Sequence, residues 1–454
     1  MKSTARIFGL VVTKSMPTLL VLLISNPSVS AQDSTWHHWR GPTANGVAAS
    51  NAIPPVTWGA ETNVRWTADI RGIGTSTPIV HGNQIFVLSA EKTDRRAESP
   101  PRNNSRNKTR PDGFIYRFLV TCFERTEGRM LWQRTAVEEA PHEGHHPSHT
   151  YAGSSPATDG EHLYVSFGSR GIYCYSLSGD VEWKQDLGNM HTRYGWGESV
   201  TPVVHGDSLI INWDQEDHSF IACLNALTGA VMWKTERAGE VTSWNTPLVT
   251  EFNGKTIVVA NGTNRVRGYD LSNGQELFSC PGQTVNAIPS PLRYKDSVIA
   301  MSGYRGSLAV SIPLSTSGSL DDTDRLNWTH SGGTPYVPSP IIHGRRLIFT
   351  SSNRDVLSVL DADTGKRIGE PMRLTGLGSM YASPVLANGH LYFLGRDGTC
   401  IVLEDGKNGF EVAAVNRIND ATDASPVAVD NQLLLRSHTK LYCFEQANDR
   451  RDVF

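Results

Sequence analysis

Three things are scarce in this chain of 454 residues: long apolar runs, paired cysteines and an excess of one charge. No stretch reaches the roughly 20 continuous apolar residues that a membrane-spanning helix needs. No C-x-x-C-H motif occurs, which excludes a covalently attached c-type haem. The net charge is −3, so no overall basic field would recruit nucleic acid or acidic lipid.

Local signatures of catalysis are missing as well. The sequence contains no G-x-S-x-G nucleophile turn, no G-x-x-x-x-G-K-[ST] phosphate loop and no H-E-x-x-H metal-binding helix. Four histidines fall within eight residues, and prolines and a glycine interrupt their spacing: His142, His145, His146 and His149. This irregular spacing is typical of a solvated loop, and we predict no metal site there.

The first 31 residues have the pattern of an export signal. A positively charged start precedes an apolar core over residues 19–24 and a small-residue cleavage site that ends at Ala31. We therefore predict a signal peptide over 1–31 and one domain over 32–454, located in the periplasm or secreted. No cysteine precedes Cys122, so the sequence predicts neither a lipid anchor nor a membrane span.

One pattern recurs along the rest of the chain: a Ser or Thr, a proline, and then alternating apolar residues. The eight prolines are Pro78, Pro156, Pro202, Pro247, Pro291, Pro340, Pro384 and Pro426. From Pro156 onward they are 42 to 49 residues apart. Each unit then usually has a turn glycine followed by an aromatic residue, as in Gly229 and Trp233. Four short strands per unit, punctuated by Gly and Pro, predict an all-β, eight-bladed β-propeller.

The two ends of the chain complement each other. The eighth unit stops at Glu445 after three strands, whereas the segment VRWTADI at 64–70 aligns with the fourth strands of other units. We predict that Trp66 and its strand complete the last blade and close the ring. The first unit is longer than the others, and its Arg-, Asn-, Ser- and Pro-rich stretch at about 91–113 predicts a mobile hairpin insertion.

The cysteines follow the repeat. Four of the six occupy one equivalent strand position in four units: Cys122, Cys174, Cys223 and Cys443. Equivalent positions in neighbouring blades lie roughly 10 Å apart, which is too far for a disulfide. We therefore expect buried thiols that stand in for alanine, although an export signal is predicted.

The turns of these units carry a family resemblance. The segments LNALTGAVMW (224–233) and YDLSNGQELF (269–278) resemble the tryptophan-docking repeat of the quinoprotein propellers, which are named for pyrroloquinoline quinone. The opening WHHWRGPTANG (36–46) is similar to the start of exported bacterial members of this superfamily. The resemblance implies a propeller in which each docking tryptophan packs between neighbouring blades.

The superfamily implies two different kinds of function. It includes quinone-dependent dehydrogenases, which hold the quinone at one end of the channel with Ca²⁺ bound by Glu, Asn and Asp. It also includes a lipoprotein without enzymatic activity that helps to assemble outer-membrane barrels. This sequence has neither the adjacent cysteine pair found in many of the enzymes nor the anchoring cysteine of the lipoprotein.

The segments that lead into the first strand of each unit contain more polar and aromatic residues than a blade requires. In a propeller these connections meet at one end of the central channel. We predict a ligand-binding rim formed by His149, Tyr151, Arg193, Trp196, Glu198, Trp244, Asn245, Asn286, Tyr336, Tyr381 and Asp423. The Ser and Thr residues before the prolines are expected to be structural, bonding local backbone.

Three hypotheses about function follow. The first is an exported binding propeller without catalysis or cofactor, whose rim recognises a glycan, a peptide or a protein. The second is a dehydrogenase dependent on pyrroloquinoline quinone and Ca²⁺, in which Glu198, Asn245 or Asn286, and Asp423 are the candidates for metal ligand or base. The third is a purely structural assembly scaffold with a plugged channel.

Overall fold

The computed structural model describes Met1 and residues 34–98, 108–320, 325–407 and 409–446. All but the first residue of the predicted signal peptide lies outside the described residues, and so does the 99–107 part of the predicted insertion. Within the described residues, no helix has the length and hydrophobicity required to span a membrane.

Eight antiparallel arrays of four strands form the blades, which we number in chain order from the first Ser/Thr-Pro unit; the four strands come from one continuous segment of the chain in every blade but the last. Blade 1 consists of Ile79–His81, Gln84–Arg96, Phe114–Glu124 and Met130–Glu139, and blade 2 of Ala157–Thr158, His162–Ser166, Ile172–Ser176 and Val181–Gln185. Blade 3 consists of Val203–His205, Ser208–Trp213, Phe220–Asn225 and Val231–Glu236, and blade 4 of Leu248–Phe252, Lys255–Ala260, Arg265–Asp270 and Glu276–Pro281.

Blade 5 consists of Leu292–Tyr294, Ser297–Ser302, Leu308–Pro313 and Trp328–His330, and blade 6 of Ile341–His343, Arg346–Thr350, Val356–Asp361 and Met372–Arg373. Blade 7 consists of Val385–Ala387, His390–Leu394, Thr399–Gly406 and Gly409–Arg417, and blade 8 of Val427–Val429, Gln432–Arg436, Lys440–Glu445 and Val64–Asp69. Thr35–Trp36 adds a strand to the inner edge of blade 1, and Gly318–Ser319 pairs with the outer strand of blade 4. Two single-turn 3₁₀ segments, Gly168–Arg170 and Arg193–Gly195, lie in the connections.

The predicted fold and its closure are confirmed. Val64–Asp69 pairs antiparallel with Lys440–Glu445, so the N-terminal strand completes blade 8. Trp66 lies opposite Cys443, just as Trp132 lies opposite Cys122 in blade 1. Closing the ring with the two ends of the chain removes the open edges that an incomplete blade would leave.

Docked tryptophans join the blades. The indole N–H of each one donates to a backbone carbonyl of the next blade: Trp66 to Arg125, Trp132 to Leu177, Trp183 to Ala226, Trp233 to Leu271 and Trp328 to Ala362. Each indole also covers the turn glycine of that next blade. At Gly128, which has a φ of 72°, a Cβ would lie 2.4 Å from the Trp66 ring. The turn therefore requires glycine both for its backbone conformation and for the close approach of the indole.

A second set of contacts runs around the channel. Six of the eight side chains before the prolines accept a hydrogen bond, at 2.9–3.1 Å, from the backbone N–H of the equivalent Ser or Thr in the preceding blade. The six acceptors are Ser155, Thr201, Ser339, Ser383, Ser425 and Thr77. The structural role that we predicted is confirmed. These hydrogen bonds nevertheless run between blades and do not involve the local backbone, because the innermost strands of neighbouring blades converge at the channel.

The cysteine prediction is also confirmed. All six cysteines are buried and free of disulfide bonds. Burial raises the pKa of Cys122 and of Cys443 to about 12, which keeps these thiols protonated at neutral pH.

The insertion in the first unit begins as an extension of blade 1. Gln84–Arg96 and Phe114–Glu124 pair well beyond the length of the other blades. The described part of the returning arm contacts the connection between blades 2 and 3: the backbone N–H of Lys108 donates to the carbonyl of Tyr194 at 2.8 Å, and the Thr109 hydroxyl donates to the carbonyl of Gly195. This arm therefore supports the connection that carries Trp196.

Candidate functional site

The connections into the innermost strands surround a cavity of about 380 Å³ at one end of the channel. Six aromatic side chains line it: Trp39, Trp196, Trp244, Tyr304, Tyr336 and Tyr381. Its volume lies within the range of small-molecule sites in proteins, roughly 300–1,000 Å³. The cavity is therefore suited to a ring or a chain end and is too small for a folded partner.

A positional rule determines which residues reach the cavity. The residue two positions before the Ser or Thr of every Ser/Thr-Pro unit lines it: Thr75, Gly153, Ser199, Trp244, Ile288, Val337, Tyr381 and Asp423. In extended backbone, alternate side chains point to opposite sides. The residue between each of these and its Ser or Thr therefore points away from the channel, as Asn245 does, and so does Glu198, three positions before Thr201.

One side of the channel is filled by the N-terminal strap, which we define as Trp36–Gly46. The strap begins against blade 1, and the carbonyl of His37 accepts a hydrogen bond from the backbone N–H of Thr158 in blade 2. Its Arg40 side chain is 1% exposed and donates to the carbonyls of Pro340 and Pro384, at the inner ends of blades 6 and 7. The strap thus crosses the channel, and its Trp39 lines the cavity.

Two glycines allow the backbone to pack closely against the ring of His149, which lies in the wall of the cavity. A Cβ at Gly153 would lie 2.4 Å from the His149 ring, and one at Gly197 would lie 2.5 Å from it. The Nε2 of His149 donates to the carbonyl of Glu198 at 3.0 Å, because a carbonyl can only accept, so Nδ1 remains an acceptor. The indole N–H of Trp244 donates to the carbonyl of Gly197 at 2.8 Å, which ties this wall to the next blade.

Among the described residues that line the cavity, Asp423 is the only one with a carboxylate. It accepts from Nε of Arg396 at 2.6 Å and from Nε2 of His438 at 2.9 Å. The Arg396 guanidinium also lies over the Tyr381 ring, 4.1 Å from its centroid. The charge of Asp423 is therefore balanced within the protein, and its partners help to hold Tyr381 in place.

The structure brings six of the eleven predicted rim residues together. Those that line the cavity are His149, Trp196, Trp244, Tyr336, Tyr381 and Asp423. The remaining five do not line it: Tyr151, Arg193, Glu198, Asn245 and Asn286. The role of the six in binding a ligand stays a prediction.

Each residue of the second group has another environment. Tyr151 packs edge-on against Tyr116 and His145, and the Arg193 guanidinium lies over the Tyr194 ring. The Glu198 carboxylate accepts from the backbone N–H and the hydroxyl of Ser169 at 2.6 and 2.7 Å. Asn245 exchanges hydrogen bonds with the backbone of Asn261. Asn286 is fully buried in a left-handed conformation beside Tyr336.

Several lining residues were missed from the sequence: Trp39, His146, Ser148 and Tyr304. Ser148 and His146 share a hydrogen bond of 2.7 Å, and the Ser148 hydroxyl lies 3.2 Å from that of Tyr381. The histidine-rich loop therefore contributes to the wall of the cavity in addition to exposing part of its surface to solvent. The sequence gives no signal for Trp39 or Tyr304. Their places in the cavity depend on how the N-terminal strap and the turn after the second strand of blade 5 approach the channel.

The quinone-dependent hypothesis needs a Ca²⁺ site, and its candidate ligands do not converge. Both Glu198 oxygens are engaged by Ser169, the Asn245 amide is engaged by backbone, and Asp423 is paired with Arg396. Burial raises the pKa of Glu198, which disfavours the ionised form that a cation would require. No cluster of three His, Cys, Asp or Glu side chains suited to a metal is found in the described part of the chain. These donors do not fit Ca²⁺ with pyrroloquinoline quinone.

Two histidines, His38 buried in the N-terminal strap and His149 in the cavity wall, should make the stability of the protein sensitive to mild acid. Burial lowers the pKa of His38 to about 3 and that of His149 to about 4. Below pH 6.5 the unfolded chain takes up protons at these imidazoles while the folded chain does not. The free energy of unfolding should therefore fall between pH 6.5 and 5, by up to about 1.4 kcal/mol per pH unit for each histidine. Urea titrations at pH 7, 6 and 5 measure this, and equal midpoints would contradict it.

The eight blades, the docked tryptophans and the Ser/Thr-Pro ring define a propeller of the pyrroloquinoline-quinone-like repeat type. Residues 117–370 match the model of the family described as outer membrane protein assembly factor BamB, and the chain belongs to this family. No curated protein sequence matches the chain.

Solved structures share the fold at low sequence identity. BamB from Moraxella catarrhalis is 14% identical with a TM-score of 0.53, over 79% of this chain and 100% of that one. The quinohemoprotein alcohol dehydrogenase ADHIIG from Pseudomonas putida HK5 is 9% identical with a TM-score of 0.57, over 91% of this chain and 81% of that one. The computationally designed Ika8 protein is 10% identical with a TM-score of 0.52, over 73% and 92%. At such identities the likeness shows the fold alone.

Proposed function

We propose that this chain is an exported binding propeller without catalysis of its own, and that its cavity holds a ring or chain end of a glycan. The observation that supports this most is the presence of three tryptophans, Trp39, Trp196 and Trp244, around one cavity. Aromatic faces pack against the apolar faces of sugar rings, while the hydroxyl and imidazole groups between them select polar substituents.

The size of the cavity favours a glycan over the other partners considered. A volume of about 380 Å³ accommodates a small ring and excludes a protein surface. A peptide would offer backbone N–H and C=O groups, which are usually bound along a free strand edge. The cavity is lined by side chains of connections and not by an open strand edge, so a ring-shaped ligand fits better.

The absence of catalysis is part of the proposal. A dehydrogenase of the quinone-dependent type would need the Ca²⁺ ligands that are engaged elsewhere in this chain. Export rests on the sequence of residues 1–31. Together these features support a periplasmic or secreted binding protein that works without a cofactor.

Calorimetric titration of the purified protein with a panel of oligosaccharides tests this function. We expect at least one saccharide to bind, and Trp196→Ala or Trp244→Ala to weaken that binding by about tenfold or more, because central aromatic contacts typically contribute 2 kcal/mol or more. Leu227→Ala, in an exposed turn of blade 3, is the matched control and should bind like the unmodified protein. No binding to any saccharide, or turnover of alcohols or sugars after addition of pyrroloquinoline quinone and Ca²⁺, would contradict the proposal.

A further inference from the structure

Part of the Ser/Thr ring faces the cavity. We define the hydroxyl arc as the four linked residues that both accept a backbone hydrogen bond in the ring and line the cavity: Ser425, Thr77, Ser155 and Thr201, from blades 8, 1, 2 and 3. The equivalent Ser339 and Ser383 lie on the other side of the channel, where Arg40 of the N-terminal strap binds the carbonyls of the prolines that follow them. The strap thus fills one side of the channel and leaves the hydroxyl arc open.

The hydroxyl groups of the arc have protons that donate no hydrogen bond within the described part of the chain. Each of its oxygens accepts one backbone N–H, and none donates a hydrogen bond to another group in the described part of the chain. A hydroxyl that accepts one bond still has its own proton to donate. All four side chains are more than nine-tenths buried, so these protons can be satisfied only within the cavity. The side of the cavity formed by the hydroxyl arc therefore favours a ligand group that only accepts hydrogen bonds.

The charges around the cavity also favour a ligand with a negatively charged group. The charge of Asp423 is balanced by Arg396, and His438 also donates a hydrogen bond to it, so no unpaired carboxylate is found among the described residues that line the cavity. The buried Arg40 guanidinium lies 5.8 Å from the centroid of the Trp39 ring and pairs with carbonyls only. Burial lowers the pKa of Arg40 to about 9, which still leaves it charged at neutral pH. A negatively charged ligand in the cavity would be attracted to Arg40, which lies on the side of the channel opposite the hydroxyl arc.

A positively charged ligand is disfavoured, although clusters of aromatic rings are known to bind cations. Three of the six lining aromatics already have an arginine on them: Arg40 at Trp39, Arg396 at Tyr381 and Arg305 at Tyr304. A ligand cation at these rings would meet like charge at short range. The aromatic walls are therefore better suited to the neutral face of a sugar ring.

We propose that the cavity recognises a sugar ring that bears a carboxylate, a uronate. The carboxylate accepts hydrogen bonds from the hydroxyl arc, and the ring lies between the Trp196 and Trp244 walls above Trp39. This assignment rests on the proposed glycan-binding function and adds the charge of the ligand to it. It also gives the hydroxyl arc a second role, since the same oxygens link the blades.

Ligand pairs that differ only in charge test the assignment. Glucuronate against glucose, and galacturonate against galactose, are titrated by calorimetry, with glucosamine as the cationic member. We expect one of the two uronates to bind at least tenfold more tightly than its neutral counterpart, because hydrogen bonds to a charged group contribute about 1.5–3 kcal/mol each, where tenfold is 1.4 kcal/mol. Equal affinity for acid and neutral sugar, or tighter binding of glucosamine, overturns the assignment but leaves glycan binding intact. Failure of every sugar overturns both.

A matched pair of variants tests the hydroxyl arc itself. Ser155→Ala and Ser383→Ala each remove one acceptor from the ring, and only Ser155 lines the cavity. Both should lower the melting temperature by a similar amount, whereas only Ser155→Ala should weaken uronate binding, by about tenfold. Thr201→Ser, which keeps the hydroxyl, should retain affinity. An equal effect of Ser155→Ala and Ser383→Ala on affinity would show that the ring is only structural and overturn the proposal.

Discussion

Replacing Trp66 by alanine is expected to lower the free energy of unfolding by about 3–5 kcal/mol, the usual cost of truncating a buried aromatic side chain. The indole is 8% exposed, covers Gly128 and donates to the carbonyl of Arg125, so it joins blade 8 to blade 1 where the chain closes the ring. Truncation leaves a cavity at the seam and an unpaired carbonyl.

Urea unfolding followed by tryptophan fluorescence and circular dichroism measures the effect. Met130→Ala, on the exposed outer strand of blade 1, is the control and should change the free energy of unfolding by less than about 0.5 kcal/mol. Trp66→Phe should recover part of the loss because it refills most of the cavity. An unchanged midpoint for Trp66→Ala would contradict the closure of the ring by the N-terminal strand.

The second large effect is expected at a buried ion pair in blade 3. Asp214→Ala should destabilise the protein by about 3–5 kcal/mol, because it leaves the Arg237 guanidinium buried without its counter-charge. The two side chains are fully buried, and Nε of Arg237 lies 2.6 Å from Asp214. Burial opposes the charged form of Arg237, but Asp214, Tyr269 and Glu240 together outweigh burial and raise the pKa. The Ser243 hydroxyl also donates to Asp214, next to Trp244.

Two controls separate this effect from a general loss of charge. Asp405→Ala removes an exposed pair with Arg346 and should cost no more than about 1 kcal/mol. The double variant Asp214→Ala with Arg237→Met should be more stable than Asp214→Ala alone, because it removes the stranded charge. If the Asp214 and Asp405 variants unfold at the same urea concentration, the pair in blade 3 does not act as a buried one.

The repeat made the fold predictable from the sequence. Each blade needs the same Ser/Thr-Pro start and, in most units, the same turn glycine, so an isolated match could be checked against the others. The place of Trp66 followed because its segment aligned with the fourth strands and the last unit lacked one. Such information is local and periodic, and it does not depend on contacts between distant parts of the chain.

The site was predictable only in part. The rim prediction included Glu198 and Asn245 because they lie in the connections, but period-two alternation turns both away from the channel. That rule was present in the sequence, since the inward positions fall two residues before each Ser or Thr. The N-terminal strap gave no such signal. Its position depends on Arg40 reaching the carbonyls of Pro340 and Pro384, some 300 residues later.

The central claim is that the cavity at the channel mouth is a binding site. A crystal structure of the protein with the uronate of highest measured affinity tests it most directly. The account predicts electron density for the sugar ring between Trp196 and Trp244, with its carboxylate within hydrogen-bond distance of Thr77, Ser155 or Thr201. A ligand found on an outer strand or between blades, with the cavity holding only water, would contradict the account.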